Sequence, residues 1–270
     1  MRGRTAFVIG CVLAGLILAM AALSLVWLPY DPSDTTGGRL APPGDGHLLG
    51  TDKLGRDLLT QLMVGARIAL TVGIGSVLLG ALLGVAGGLL AGFASDWLDD
   101  ALSAALDILI AFPTLLLAML VVAAREASLG SAVLAIGLAM SAIVARLTRV
   151  LVMRVLAQDY VTAARTSGTS WPRVVIEHVL PNIWPTLLVN LSLQLGLAVL
   201  AEASLSYLGL GPPPPNASWG RLLQEAQATV LTAPLGAVAP GVLLVVLVVG
   251  VNLLADGFRD LADPTRRRSR

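Results

Sequence analysis

Two carboxylates stand inside otherwise apolar stretches: Asp107 in DILIAFP and Glu202 in LAEASLSY. Hydrocarbon offers an acid no partner, so each must face protein or water, and each is a candidate for a transport path or an ion site. The structural alternative for Asp107 is an interhelical pair with an arginine of the following apolar run. Asn190 and Gln194 precede Glu202 and could line a polar path with it, although packing or interfacial pairing accounts for them equally well. The remaining reactive groups assemble into no catalytic pattern. Cys11 is the single cysteine, which excludes an intrachain disulfide and a cysteine metal cluster. His47 and His178 lie too far apart for a local zinc motif. Lys53, the sole lysine, sits in TDKLG rather than in the glycine loop that cradles nucleotide phosphates. No catalytic residue, metal ligand or nucleotide site is therefore expected in this chain.

The elements that hold these groups are membrane spans. Charged residues make up 13% of 270, against about 25% in a soluble domain, and 56% are hydrophobic. Mean hydropathy is +0.83. A soluble globule cannot hide so much apolar surface behind so few charges, and a net charge of +1 gives no field for nucleic acid. A crossing helix needs about 20 apolar residues. Six stretches qualify: Ala6–Leu28, Arg67–Phe93, Leu98–Ala123, Leu129–Val150, Ile183–Tyr207 and Leu235–Phe258. The first is too long for a cleaved secretory signal and is read as an uncleaved span. Placing both termini in the cytoplasm puts 12 basic residues inside, including Arg266, Arg267, Arg268 and Arg270, and 6 outside, as the positive-inside rule requires. The expected organisation is an N-terminal span with an extracytoplasmic segment (1–66), a five-helix core (67–258) and a basic tail (259–270).

Three features of the spans carry physical content. Gly80, Gly84, Gly88 and Gly92 recur every fourth residue, a side-chain-free stripe that lets helix backbones approach. It suits either packing inside this subunit or a seam with a second one. Pro113 is expected to kink the third span, since its ring removes a backbone hydrogen bond. The long inside loop, 151–182, continues the fourth helix to Thr166-Ser167-Gly168, where glycine suits a left-handed C-cap. Ser170-Trp171-Pro172 then restarts a helix, with Ser170 as N-cap and Pro172 in its first turn. That short amphipathic piece, Arg173–Val179, is expected to stop at Leu180-Pro181-Asn182. Such an elbow is shaped to be gripped by a partner, or else to lie on lipid.

The loop also resembles a known family. AARTSGTSWPRVVIEHVLPN looks like the EAA loop of permease subunits in binding-protein-dependent ABC importers, matching at Ala163, Ala164, Gly168, Leu180, Pro181 and Asn182. His178 resembles the histidine of the peptide branch, and Thr162 departs from the usual glutamate. HLLGTDKLGRD (His47–Asp57) followed by GARIAL, DILIAFP, and AEASLSYLGLG followed by SWG (Ser218–Gly220) are similar to the C-type subunit of dipeptide, oligopeptide and nickel importers. The resemblance implies an all-α, six-span type I importer permease of a bacterial cell membrane, with a cytosolic coupling helix between spans four and five. It implies a B-type permease partner, with the path between the two and Asp107, Gln194 and Glu202 as path candidates. Two ATPase subunits would bind ATP and Mg and grip the 159–182 loop, with Arg173 in the gripped helix, and an extracytoplasmic binding protein would deliver cargo. Peptides are the first expectation, with nickel, haem or a small sugar fitting the same frame. The rival is an ion-coupled secondary transporter using Asp107 and Glu202.

Overall fold

The computed structural model describes residues 2–44, 46–213 and 216–262, so the four tail arginines Arg266, Arg267, Arg268 and Arg270 lie outside the described residues, as do Pro214 and Pro215. Among the described residues ten α-helices form: α1 Arg2–Val26, α2 Leu58–Gly92, α3 Asp96–Ala111, α4 Thr114–Ala124, α5 Leu129–Leu156, α6 Asp159–Thr166, α7 Trp171–Val174, α8 Leu180–Tyr207, α9 Trp219–Ala226 and α10 Leu235–Ala262. A π-helical turn, Val175–Val179, joins α7 to α8. Among the described residues the extended pairings are two isolated bridges, Gly44 with His47 and Thr51 with Asp57.

Among the described residues five helices are long and apolar enough to cross a membrane unbroken, and α3 with α4 makes a sixth, bent by 89°. The single span expected over Leu98–Ala123 is thus two helices. Proline at 113 has no N–H to give and drives the residue before it out of the helical region; Phe112 is extended at φ −72°, ψ 128°. The acidic stretch before it belongs to α3, whose Asp99 takes both forks of the Arg149 guanidinium on α5. Helix α2 starts at Leu58, earlier than the expected span, because the Asp57 carboxylate accepts the Thr60 N–H at 2.7 Å and caps it there. The boundary drawn at 66/67 therefore falls inside one continuous helix.

Small residues decide which helices touch. A Cβ at Gly84 would lie 2.5 Å from Val144 Cβ and 2.7 Å from the Ser141 carbonyl oxygen, and one at Gly88 2.5 Å from the Ala145 carbonyl oxygen. Gly80 faces the Gly137 carbonyl and Gly92 faces Val152. The stripe is consumed by α5 of the same subunit. A second such seam binds α1 to α10: a Cβ at Gly10 would lie 2.7 Å from Leu254 N, and one at Gly257 2.6 Å from Phe7 Cβ.

The outer end is capped by the segment before α2 and by α9. Thr51 Oγ1 donates to the Gly38 carbonyl at 2.7 Å and accepts the Ala41 N–H. Gly50, at φ +78°, could not carry a side chain: a Cβ would sit 2.4 Å from the Ala41 carbonyl oxygen. At the exposed rim, the Ser33 hydroxyl and amide hold the Asp31 carboxyl below the usual carboxylate range. Each residue of Ser218-Trp219-Gly220 has a separate task. Ser218 Oγ caps α9 through the Arg221 N–H; Trp219, fully buried, donates to the Leu62 carbonyl of α2; Gly220 lies directly on the Ala203 backbone of α8.

Candidate coupling loop and translocation surface

The inside loop is a folded elbow with its own core. Helix α5 ends at Leu156, a short break follows, and α6 runs from Asp159 to Thr166; the fourth helix expected to reach Thr166 unbroken is interrupted there. The end of α6 is a complete left-handed cap: Gly168 stands at φ +87°, its N–H donates to the Arg165 carbonyl at 3.0 Å, and the Thr169 N–H donates to the Ala164 carbonyl at 3.1 Å. The Ala163 carbonyl accepts the Ser167 N–H and hydroxyl and the Thr166 hydroxyl. Ser170 occupies the N-cap position of α7 in extended backbone, but its side chain makes no cap bond; Pro172 sits in the first turn.

Trp171 locks the elbow to the bundle. The Arg165 guanidinium stacks 4.1 Å above its ring and also donates to the Thr169 carbonyl, while Phe93 at the end of α2 meets the ring edge-on at 5.4 Å. Beneath it, Val152, Val161, Val174, Val179, Ile183 and Leu187 form a buried cluster spanning α5 to α8. Outward the elbow shows Tyr160, Trp171 and Ile176, the last 65% exposed, beside an Arg173–Glu177 pair at 2.7 Å. Exposed apolar side chains rimmed by charge are the composition of an interaction surface, for a protein or for lipid.

The break expected at Leu180-Pro181-Asn182 does not occur: Trp171 to Tyr207 forms one run of helix. The π-turn makes this possible. It places the Leu180 N–H on the Val175 carbonyl, five residues back, opening the coil just where Pro181 can donate nothing. Asn182 Nδ2 then donates to the His178 carbonyl at 2.6 Å. The His178 ring stands edge-on to Tyr160, which ties α6 to this turn.

The path candidates do not converge. Asp107 pairs with Arg146 of α5 at 2.8 Å, both more than half exposed on this subunit. Gln194 and Glu202 are turned into the subunit's own interior, at 4% and 1% exposure. Glu202 Oε1 accepts the Ser206 hydroxyl at 2.7 Å; among the described residues its Oε2 and Gln194 Oε1 have no hydrogen-bond partner. Sequence reasoning missed the buried ion network of the outer cap: Arg56 donates to Asp52 at 2.6 Å and to Glu225 at 2.7 Å, and Glu225 also accepts from Arg221. Its partners lie 169 residues apart, and the only sequence signal was the amphipathic pattern of Trp219–Ala226.

Residues 84–268 match the family described as binding-protein-dependent transport system inner membrane component. The chain is 38% identical to a putative peptide transport system permease protein of Brucella suis biovar 1 (strain 1330), covering 97% of this chain and 88% of that one. It is 37% identical to a glutathione transport system permease protein of Pectobacterium atrosepticum, over 92% and 83% of the two chains, and 39% identical to a di/tripeptide transport system permease protein of Pseudomonas aeruginosa, over 95% and 87%. Among solved structures it resembles the inward-facing MetNI methionine ABC transporter, with a TM-score of 0.63, 20% identity, and coverage of 75% of this chain and 97% of that one. At that identity the likeness carries the fold alone.

Proposed function

We propose a cargo and a drive for this chain, which belongs to the family of binding-protein-dependent transport system inner membrane components and is a multi-pass permease subunit of an ATP-driven ABC importer. The cargo is a short peptide. Relatives over nearly the whole chain are named for peptides, for di- and tripeptides and for glutathione, itself a tripeptide. The path forms between this chain and a B-type permease. Two cytosolic subunits bind ATP and Mg, and each grips the elbow of one permease; an extracytoplasmic binding protein supplies the peptide.

One observation supports this drive: the elbow presents an apolar outer face while standing on a buried core continuous with α5 and α8. A force applied outside is thereby delivered to two spans at once. Closure of the ATPase pair on ATP favours the arrangement in which the two elbows are drawn together, and its effect equals its differential affinity for the two permease states. Gly168 tests the geometry cleanly, because a Cβ there meets no atom within 4 Å. The penalty for any L side chain is therefore backbone strain, about 1–2 kcal/mol. Binding-protein-stimulated ATP hydrolysis is expected to fall in the order Gly, Asn, Ala, Val at position 168, with membrane insertion unchanged. Equal stimulation across the series would overturn the turn's role.

The ion-coupled alternative is unsupported. Its two acids are an ion-paired aspartate and an enclosed glutamate, and the relatives are transport-system permeases. Asp107→Asn is expected to leave ATP-driven uptake in proteoliposomes intact. Abolished uptake with normal ATP hydrolysis would return Asp107 to the path.

A further inference from the structure

On the outer face, a polar cleft of about 320 Å³ opens between Lys53, the turn after α8 and the exposed side of α9, lined by Lys53, Ser206, Gly211, Arg221, Gln224 and Glu225. Its electrostatics are unbalanced in one direction. Both Glu225 oxygens are engaged, by Arg56 and by Arg221, and both Asp52 oxygens by Arg56 and backbone N–H groups. Lys53 is half-buried and has no ion-pair or hydrogen-bond partner among the described residues. The lining thus holds two cations, Lys53 and Arg221, against one acid, Glu225, whose two oxygens are already taken by Arg56 and Arg221, so Lys53 is left uncompensated. Gly211 keeps the cleft open, since a Cβ there would fall 2.0 Å from Ser206 Oγ.

We propose that this cleft receives a carboxylate side chain from the docked extracytoplasmic binding protein, so that Lys53 is a charge anchor of that interface; the proposal rests on the function assigned above. The cleft lies on the side from which the binding protein approaches. Its floor is closed rather than continuous with a path: Ser206 is backed by the buried Glu202, and α9 beneath is fixed by the buried Trp219. The backbone that carries Lys53 is fixed, because Asp52 accepts the Leu54 and Arg56 N–H groups across the turn. A half-buried lysine with no internal partner, carried on a fixed backbone, complements a carboxylate, and such a charge acts on encounter and register.

The test uses the full transporter in nanodiscs and its purified, peptide-loaded binding protein, with ATP hydrolysis followed against binding-protein concentration. Lys53→Glu is expected to raise the half-saturating concentration about tenfold through like-charge opposition, and Lys53→Gln about threefold, as for loss of an exposed pair, with the maximal rate unchanged. Lys53→Arg is expected to restore it, and added salt is expected to weaken the wild type more than Lys53→Gln. Lys53→Gln covers the case in which Lys53→Glu fails to assemble. Unchanged half-saturation in both variants overturns the proposal, as does a lowered maximal rate at unchanged half-saturation, which would assign the cleft to the cargo. An assembly that hydrolyses ATP but ignores the binding protein altogether sinks the functional reading; a stimulated assembly indifferent to residue 53 sinks only the cleft.

Discussion

Gly84→Val is expected to remove the subunit from the membrane, while Gly87→Val, three residues along the same helix, leaves it folded. At 84 the new Cβ would enter Val144 Cβ at 2.5 Å and the Ser141 carbonyl oxygen at 2.7 Å; at 87 it would meet Ala145 Cβ at an ordinary 3.8 Å. Overpacking commonly costs about 1–3 kcal/mol when side chains can yield. Here one obstacle is backbone, so α2 and α5 must separate along their whole seam, and the loss should exceed about 3 kcal/mol. Lipid supplies no hydrophobic force to restore the contact. Steady-state membrane level and thermal unfolding in detergent measure the effect, and equal behaviour of the two variants would show that the seam is not what holds these spans together.

Replacing Arg173–Val179 by a Gly/Ser linker of equal length is expected to release the ATPase subunits and abolish ATP-driven uptake. The replaced stretch carries Ile176 and the Arg173–Glu177 pair on its outer face and Val174 and Val179 in the core below. Because this deletes anchor as well as grip, an Ile176→Asp variant isolates the outer face: 65% of that side chain is exposed, so the elbow keeps its shape and only the partner's contact is spoiled. Co-purification of the ATPases reads both. Retention of the ATPases by the linker variant would place the grip elsewhere.

The spans were legible because uninterrupted apolar stretches have few alternatives in lipid, and the α6 cap because glycine at 168 fits a conformation other residues resist. Pro113 announced a disturbance but not its size, since a kink and a right-angle break share the same missing N–H. Leu180-Pro181-Asn182 misled: proline normally closes a helix, and the π-turn that absorbs it is written in no single residue. The α2 stripe was visible through its regular spacing of four, yet periodicity alone could not say which helix it met. Gly10, Gly250 and Gly257 form an equally close crossing without any such rhythm. The Arg56–Glu225 contact joins the segment before α2 to helix α9, two pieces that only the folded chain brings together.

The helical run from Trp171 to Tyr207 is 37 residues long, about 55 Å at 1.5 Å per residue. One end is clamped between Phe93 and Arg165 in the cytosol, and the other carries Ser206 at the outer cleft. Helix alone, with no intervening loop, therefore connects the inner tip to the outer cleft. Pro185 interrupts the coil within α8, and the widened turn at Val175–Val179 is the joint nearer the inner tip. Under the proposed drive, stiffening that joint is expected to alter the timing between nucleotide events inside and docking outside.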